Sequence, residues 1–322
     1  MRFVVYGAGA IGGVVGARLA QHGHDVALIA RGSHYEAIRE RGLTLEWGDE
    51  RATLALPVVD DPAALKLTAD DVVLLAMKSQ DTPVALRALA ISAPPDLPVV
   101  SMQNGVDNER TLLRSFDRVY GVCVMCPTAH LEPGVVQAFS TPTTGILDIG
   151  RVPDGRDDFA DTVAATFRAS TFASEARADI TRWKYGKLLL NLTNAIDAAC
   201  GPEARTSPLA SLVRREGVAV LRAAGIDFVS KEEDAGRRGD LLQLTPIAGR
   251  ARTGASSWQS LARGTGSIET DYLNGEIVML GRLHGVATPA NALLQQVANR
   301  LAAEGAPPGS VNVDDLLAQL EG

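Results

Sequence analysis

The sequence predicts an α/β protein in two halves: an amino-terminal doubly wound parallel sheet, then a carboxyl-terminal half of helices. Three observations predict it. A glycine-rich turn joins a short apolar strand to a helix at the start of the chain. Strand and helix signals then alternate to about residue 177. Beyond Asp179 helical patterns run long and strand signals are few. A length of 322 residues suits two domains, divided here as 1–177 and 178–322.

Phe3-Val4-Val5-Tyr6 is a β-branched and aromatic run typical of a buried strand. It leads into Gly7-Ala8-Gly9-Ala10-Ile11-Gly12, a G-x-G-x-x-G, then a helix ending near Gly23, then a strand at Asp25–Ala30. Strand, glycine turn, helix and strand within about 30 residues make the Rossmann-like context that such a turn needs to hold a dinucleotide. Gly7 permits the turn, Gly9 lets backbone approach a pyrophosphate, and Gly12 lets helix pack on strand. The helix amino terminus then offers N–H groups to the anion.

The second strand ends in Ala30-Arg31-Gly32-Ser33, without the acid that accepts from the ribose 2′-hydroxyl of NAD. Arg31 and Ser33 instead offer donors to a 2′-phosphate, so NADP is the expected cofactor. The bland alternative makes Arg31 a solvated loop cation.

Strands continue at Val72–Met77 and Pro98–Met102, ending at Lys78 and at Asn104-Gly105. Ligands in such sheets sit beyond the carboxyl ends of strands, so Lys78 and Asn104 are candidates to line a pocket. Asn-Gly is equally a plain turn signal. A helix near Asn108–Ser115, strands at Arg118–Val124, Gly134–Phe139 and Gly145–Gly150, and a helix at Asp157–Ala169 complete the amino-terminal half. Cys123 and Cys126 form a C-x-x-C on or after a strand, with too few other ligands for structural zinc, so no metal is expected.

The carboxyl-terminal half is expected to open with a single helix from Ile180 through Ala195. At about 100° per residue, Asn191 and Asn194 fall roughly 40° and 20° to either side of Lys187. A lysine and two amides then share one stripe of an otherwise apolar helix. Such a lysine can serve as a proton donor while the amides orient an oxygen-bearing ligand. An exposed edge or an interhelix hydrogen-bond network is the alternative. Further helices are expected at Pro208–Ala224, from Glu269 to about His284, and at Pro289–Glu304, with a short one over Val313–Leu320. Glu269, on the first turn of its helix, is also a fitting cap for the helix dipole.

At these residues the chain resembles the ketopantoate reductase (2-dehydropantoate 2-reductase) family. The resemblance rests on the glycine turn, Arg31, Lys78, Asn104-Gly105, Trp183-Lys184-Tyr185-Gly186-Lys187-Leu188-Leu189-Leu190-Asn191, Ser256-Ser257 and Ile268-Glu269-Thr270-Asp271-Tyr272-Leu273-Asn274-Gly275. It implies an all-helical second domain and an active site in the cleft between the domains. It also implies that Lys187 protonates the carbonyl oxygen of a 2-oxo acid while NADPH delivers hydride to the carbonyl carbon. Asn104, Asn191 and Ser257 match the residues that hold the substrate. Lys78 and Glu269 match residues near the cofactor and the catalytic lysine.

Three places depart from the family pattern, one of them the Arg263-Gly264-Thr265-Gly266-Ser267 approach to Glu269. Ala195 stands where an asparagine is usual, and Asn194 takes its place if the helix is locally rotated or bulged. Leu261 stands where an acid is frequent. The expected activity is therefore reduction of a small 2-oxo acid, ketopantoate first. A different 2-oxo acid or an imine is the enzymatic alternative, and a catalytically silent NADP sensor the non-enzymatic one.

Composition bounds the rest. Hydrophobic residues make up 46% and charged residues 21%, which excludes wholesale disorder. Lys and Arg number 31 against 38 Asp and Glu, a formal charge of −7, so no general attraction to nucleic acid or anionic membrane is expected. No apolar run reaches the length of about eighteen residues needed to span a bilayer. Three cysteines suit a reducing compartment, and a cytoplasmic location is expected. The expected partner is the small-molecule substrate alone, with a homodimer compatible with the sequence.

Overall fold

The computed structural model describes residues 1–321. It divides into two compact units. The first comprises Met1–Asn104, Asn108–Lys184 and Glu232–Arg252; the second comprises Gly105–Asp107, Tyr185–Lys231 and the chain from Thr253 onward. The fold class is the expected one, a parallel α/β sheet protein with a helical carboxyl-terminal region.

In the first unit β1 (Arg2–Tyr6) leads through the glycine turn to α1 (Ala10–Gln21) and β2 (Val26–Ile29), followed by α2 (Gly32–Arg41). A hairpin of β3 (Leu43–Trp47) and β4 (Glu50–Leu54) precedes β5 (Val58–Val59). Then come β6 (Asp71–Leu75), α3 (Thr82–Ser92), β7 (Val99–Ser101), α4 (Asp107–Leu112) and β8 (Val119–Met125). The unit continues with β9 (Thr128–Ala129), β10 (Val135–Ala138), β11 (Gly145–Arg151), α5 (Asp158–Ala169) and β12 (Phe172–Ala173).

Eight strands form the main sheet in the order β12-β11-β8-β7-β6-β1-β2-β5, parallel except where β11 runs against β8. The order reverses after β1, which pairs β2 on one side and β6 on the other, so the glycine turn leaves the sheet at the switch point. Central strands are buried on both faces and read as unbroken apolar runs, Val72-Val73-Leu74-Leu75 among them. The core beneath α1 and α5 is built on Phe3, Val5, Leu28, Leu74, Val100 and Phe167.

The expected strand at Gly134–Phe139 does not join this sheet. As β10 it forms a second sheet, β4-β3-β10-β9, pairing parallel with β3 and antiparallel with β9. The β3–β4 hairpin has its own sequence signal, since Leu43, Leu45 and Trp47 alternate with polar residues and Gly48-Asp49 supplies a two-residue turn.

The second unit is helical, apart from its three residues Gly105–Asp107. Helix α6 (Ile180–Asn191) begins in the first unit and passes into the second after Lys184. It is followed by α7 (Asn194–Cys200) and α8 (Pro208–Ala223), and then by α9 (Lys231–Arg238), which from Glu232 onward belongs to the first unit. After the Glu232–Arg252 stretch, which belongs to the first unit, come α10 (Ser256–Ala262), α11 (Asn274–His284), α12 (Pro289–Glu304) and α13 (Val313–Glu321). Pro208 and Pro289 open their helices at the first position, where no N–H is required. The core of this unit gathers Leu188, Leu192, Ile196, Val213, Ile277 and Leu294.

The Glu232–Arg252 stretch is tied to the first unit through Asp148. The Arg237 guanidinium donates to both oxygens of buried Asp148 on β11, at 2.8 and 2.7 Å, and Arg177 shares the same carboxylate at 2.8 Å. A buried acid on a strand, which also accepts the Glu175 N–H at 2.9 Å, thus recruits two cations. Among the described residues, no helix is long and apolar enough to cross a membrane.

Two helix expectations are corrected. The helix expected through Ala195 stops at Asn191 and restarts at Asn194. Glu269 lies in a separate 3₁₀ turn, Glu269–Tyr272, ahead of α11 rather than on its first turn.

Candidate active site

The glycine turn separates glycines that the fold requires from one that it does not. Gly7 has φ +99°, and a Cβ there would stand 2.6 Å from the backbone nitrogen of Met77. A Cβ on Gly12 would stand 2.2 Å from the Gly7 carbonyl oxygen. Neither position tolerates a side chain. Gly9 has an ordinary φ of −72°, and its Cβ would meet nothing nearer than 3.9 Å, at His130. Packing does not explain Gly9. Room kept clear at the N-cap of a twelve-residue helix with no acid in its first turn fits a close-approaching anion such as a pyrophosphate. Ala8 is buried, while Ala10 and Ile11 begin the helix half-buried.

Arg31 caps the backbone of α2 at the end of β2, with its side chain largely exposed. Its guanidinium lies 2.7 Å from the Asp81 carboxylate, and that hydrogen bond, more than opposing burial, raises the arginine pKa. Nearby Tyr6 has its phenol pushed up by burial and then by the charge of Asp61.

Lys78 and Asn104 stand beyond the ends of neighbouring strands β6 and β7, half-buried. A buried polar network ties their two turns together. Gln103 Nε2 donates to the Met77 carbonyl at 3.0 Å and to Thr82 Oγ1 at 2.7 Å. Thr82 donates to Asn108 Oδ1 at 2.8 Å, and Asn108 Nδ2 donates to Ser79 Oγ at 2.9 Å and to the Asn104 carbonyl at 3.2 Å. No motif in the sequence marks Gln103, Asn108, Thr82 or Ser79. Their only signal is polarity at positions that the strand pattern buries.

Beneath this network Lys184 Nζ lies 2.6 Å from Glu109 Oε1 and donates to the Gln103 carbonyl at 2.9 Å and the Val122 carbonyl at 3.3 Å. Both side chains of the pair are 4% exposed. The helix pattern points past this lysine to Lys187, one turn along α6.

In the second unit Lys187 Nζ donates to Asn191 Oδ1 at 3.1 Å, so the pairing expected from their spacing is present. Asn191 and Asn194 are both buried, but Asn194 starts α7 and is not on the same helix. The break exposes the Leu192 carbonyl, which accepts from Asn274 Nδ2 at 3.1 Å. Asn274 in turn donates to Asn291 Oδ1 at 3.0 Å, and Asn291 donates to Glu216 at 2.7 Å. Thr193, inside the break, donates to the Leu190 carbonyl at 3.2 Å, a bond that competes with helix continuation.

Ser257 is buried on α10, and Glu269 is buried in its 3₁₀ turn. The segment before Ser257 is pinned by Asp197 on α7, whose Oδ2 accepts the Ala255 N–H at 2.6 Å. Ala195 and Leu261, two of the departures from the family pattern, both pack into the apolar core of this unit.

The C-x-x-C lies on β8 and just beyond it. Burial pushes the Cys126 thiol up to about 12, the reverse of an activated thiol.

Comparison with known proteins gives a consistent picture. The family model "Ketopantoate reductase PanE/ApbA" matches residues 3–153, and "Ketopantoate reductase PanE/ApbA C terminal" matches residues 179–302. A 2-dehydropantoate 2-reductase of Pyrococcus horikoshii is 32% identical over 303 residues, covering 91% of this chain and 95% of that protein. The crystal structure of a PanE/ApbA family ketopantoate reductase from Ralstonia eutropha is 30% identical, with a TM-score of 0.79, over 95% of this chain and 99% of that one. D-mandelate dehydrogenase, solved with NADH and anilino(oxo)acetate, superimposes with a TM-score of 0.82 over 95% of this chain and 99% of its own. At 22% identity it speaks for the fold alone.

Proposed function

Because the chain belongs to the ketopantoate reductase family and is thus an oxidoreductase, we propose that it reduces a small 2-oxo acid with NADPH. The first substrate to assign is 2-dehydropantoate, giving pantoate. The observation that carries the reading is the Lys187–Asn191 pair, a lysine held by a buried amide on a helix of the second unit. The first domain, 1–177, takes the dinucleotide in this reading, and residues 178–322 take the substrate.

The Gly7–Gly12 turn would hold the pyrophosphate at Gly9, Arg31 the 2′-phosphate, and Lys78 and Asn104 the nicotinamide end. A bound nicotinamide dinucleotide supplies the hydride that reduces the carbonyl carbon. Lys187 donates the proton that the carbonyl oxygen needs to become a hydroxyl, and regains it from water. Asn191 fixes the ammonium so that one N–H remains directed at substrate. Asn104, Asn194 and Ser257 hold the carboxylate and oxo oxygens, and Glu269 keeps Lys187 charged.

The packing of Ala195 and Leu261 into the core supports a second reading, in which the same chemistry serves another 2-oxo acid or an imine. A silent NADP sensor has no use for the Lys187–Asn191 pair. The deciding experiment follows loss of reduced-nicotinamide absorbance with ketopantoate, pyruvate, 2-oxoisovalerate and 2-oxoglutarate, each with NADPH and with NADH. Selective turnover of ketopantoate with NADPH supports the first reading. Preference for another oxo acid moves the assignment to the second, and binding without turnover of any of these acids leaves the imine substrate and the sensor.

A further inference from the structure

His34, on the first turn of α2, joins two segments of the first unit through its ring. The Gly134 N–H donates to His34 Nδ1 at 2.9 Å. That nitrogen is therefore an acceptor, and the neutral ring carries its proton on Nε2. Nε2–H then donates to the Ala8 carbonyl at 2.7 Å, inside the glycine turn. A second imidazole lies against the first: the His130 ring centroid is 4.1 Å from that of His34, with the planes inclined by 47°. His130 Nδ1–H donates to the Val135 carbonyl at 3.0 Å, and its Cδ2 is the nearest atom to the space left open at Gly9.

The Ala8 carbonyl belongs to the peptide whose N–H is that of Gly9. A trans peptide holds the two in opposite directions, so fixing the oxygen aims the N–H. We propose that His34 is a positioning residue for the glycine turn. In its neutral form it sets the turn for a dinucleotide, and its protonation releases that setting. The inference rests on the reading that this turn holds the cofactor.

The sign follows from the donors. A protonated ring presents Nδ1–H to the Gly134 N–H, two donors face to face, so the ring and the Gly134 backbone cannot both stay. Movement of the ring takes the Ala8 tie with it. The added charge on its own attracts an anionic ligand, so weaker binding on acidification reads the loss of the setting rather than the charge.

Titratable groups around His34 come from the turn, the 130–135 segment and helix α2, whose N-cap residue Arg31 stands three residues before it. Residues 7–12 of the turn contain no ionisable side chain. The 130–135 segment brings His130 and exposed Glu132. Helix α2 brings Tyr35, Glu36, which pairs with Arg39, and Arg41, whose guanidinium reaches within 3.9 Å of the Cβ position of Gly134. Arg41 and a charged His130 both oppose protonation of His34 by like charge.

The test compares wild type with His34→Gln and His34→Ala, measuring the Kd for NADP⁺ by calorimetry at about pH 7.5 and about pH 5.5, either side of the usual imidazole range. NADP⁺ is used because it withstands acid. Its 2′-phosphate titrates near pH 6 but contributes equally to all three proteins. Glutamine offers a donor and an acceptor and cannot be protonated in this range. The expected result is that wild type loses about fivefold more affinity on acidification than His34→Gln, which matches wild type at the higher pH. His34→Ala is expected to bind about tenfold more weakly at both. Parallel pH profiles for wild type and His34→Gln overturn the proposal, as does wild-type affinity in His34→Ala. If wild type binds no dinucleotide at either pH, the reading of the turn itself falls and the proposal falls with it. A melting curve on each variant separates loss of fold from loss of binding.

Discussion

The Arg31 guanidinium and the Asp81 carboxylate stand 2.7 Å apart, at the ends of neighbouring segments that leave the sheet beyond β2 and β6. Arg31 is the group read as the 2′-phosphate anchor, so in this state the anchor already has an anionic partner. A phosphate must displace that carboxylate or lie beside it, and a ribose hydroxyl need do neither. Asp81→Asn is therefore expected to tighten NADPH binding by about threefold, the scale of an exposed ion pair, with NADH unchanged. Arg31→Ala is expected to weaken NADPH by about tenfold or more and to spare NADH. Fluorescence titration of both cofactors checks this. Equal effects on NADPH and NADH would remove Arg31 from the phosphate site.

The two kinds of glycine in the turn make a paired prediction. Gly7→Ala forces a side chain onto a residue at φ +99° and against the Met77 backbone, so it should destabilise the fold by about 1–3 kcal/mol or more. Gly9→Ala meets neither obstacle, so its melting temperature should stay near wild type while dinucleotide affinity drops about tenfold. Thermal melts and a titration on the same samples distinguish them. A Gly9→Ala protein that binds normally shows that the room at Gly9 is not used by a ligand.

Much of this was readable in the sequence because it is local. Strand β1, the glycine turn, α1 and β2 follow one another within thirty residues, and each carries its own signal. The Lys187–Asn191 pair is a helix i,i+4 contact, and such pairs can be counted off directly. The break before Asn194 was not readable by period, because Leu188, Leu192 and Ala195 keep the helical i, i+4, i+7 spacing across it. Its stabilisation comes from Asn274, 82 positions away in sequence. The Gln103–Thr82–Asn108–Ser79 network and the Asp148–Arg237 pair are likewise long-range, joining polar residues whose types alone suggest turns or solvated faces. What periodicity cannot supply is the partner.

The buried Lys184–Glu109 pair tests the first unit's stability independently of any ligand. Removing the lysine leaves a carboxylate without its cation in surroundings where both side chains are almost wholly buried. Lys184→Met should cost about 3–5 kcal/mol, whereas Lys184→Met combined with Glu109→Leu should recover much of that loss. Denaturant unfolding of the two single variants and the double variant forms the cycle. Additive losses would mean that the two groups do not depend on each other, and that the carbonyl contacts of Lys184 to Gln103 and Val122 matter more.

Lys187 and Asn191 divide the proposed chemistry in a way that kinetics can separate. If Lys187 supplies the proton, its ammonium matters most as the carbonyl oxygen takes on negative charge, so Lys187→Ala should lower kcat by about a hundredfold or more. The Kd for NADPH should hardly move, since the lysine belongs to the second unit and the turn that binds the dinucleotide to the first. Asn191 accepts from the lysine at 3.1 Å and acts by restricting where the ammonium points. Asn191→Asp keeps that acceptor but adds a charge that favours the ammonium, shifting the basic limb of the kcat profile upward in pH. Asn191→Ala removes the acceptor and should reduce kcat without that shift. Were Lys187→Ala to turn over at the wild-type rate, the proton would have to come from another group, and the pairing with Asn191 would be a structural contact of α6 alone.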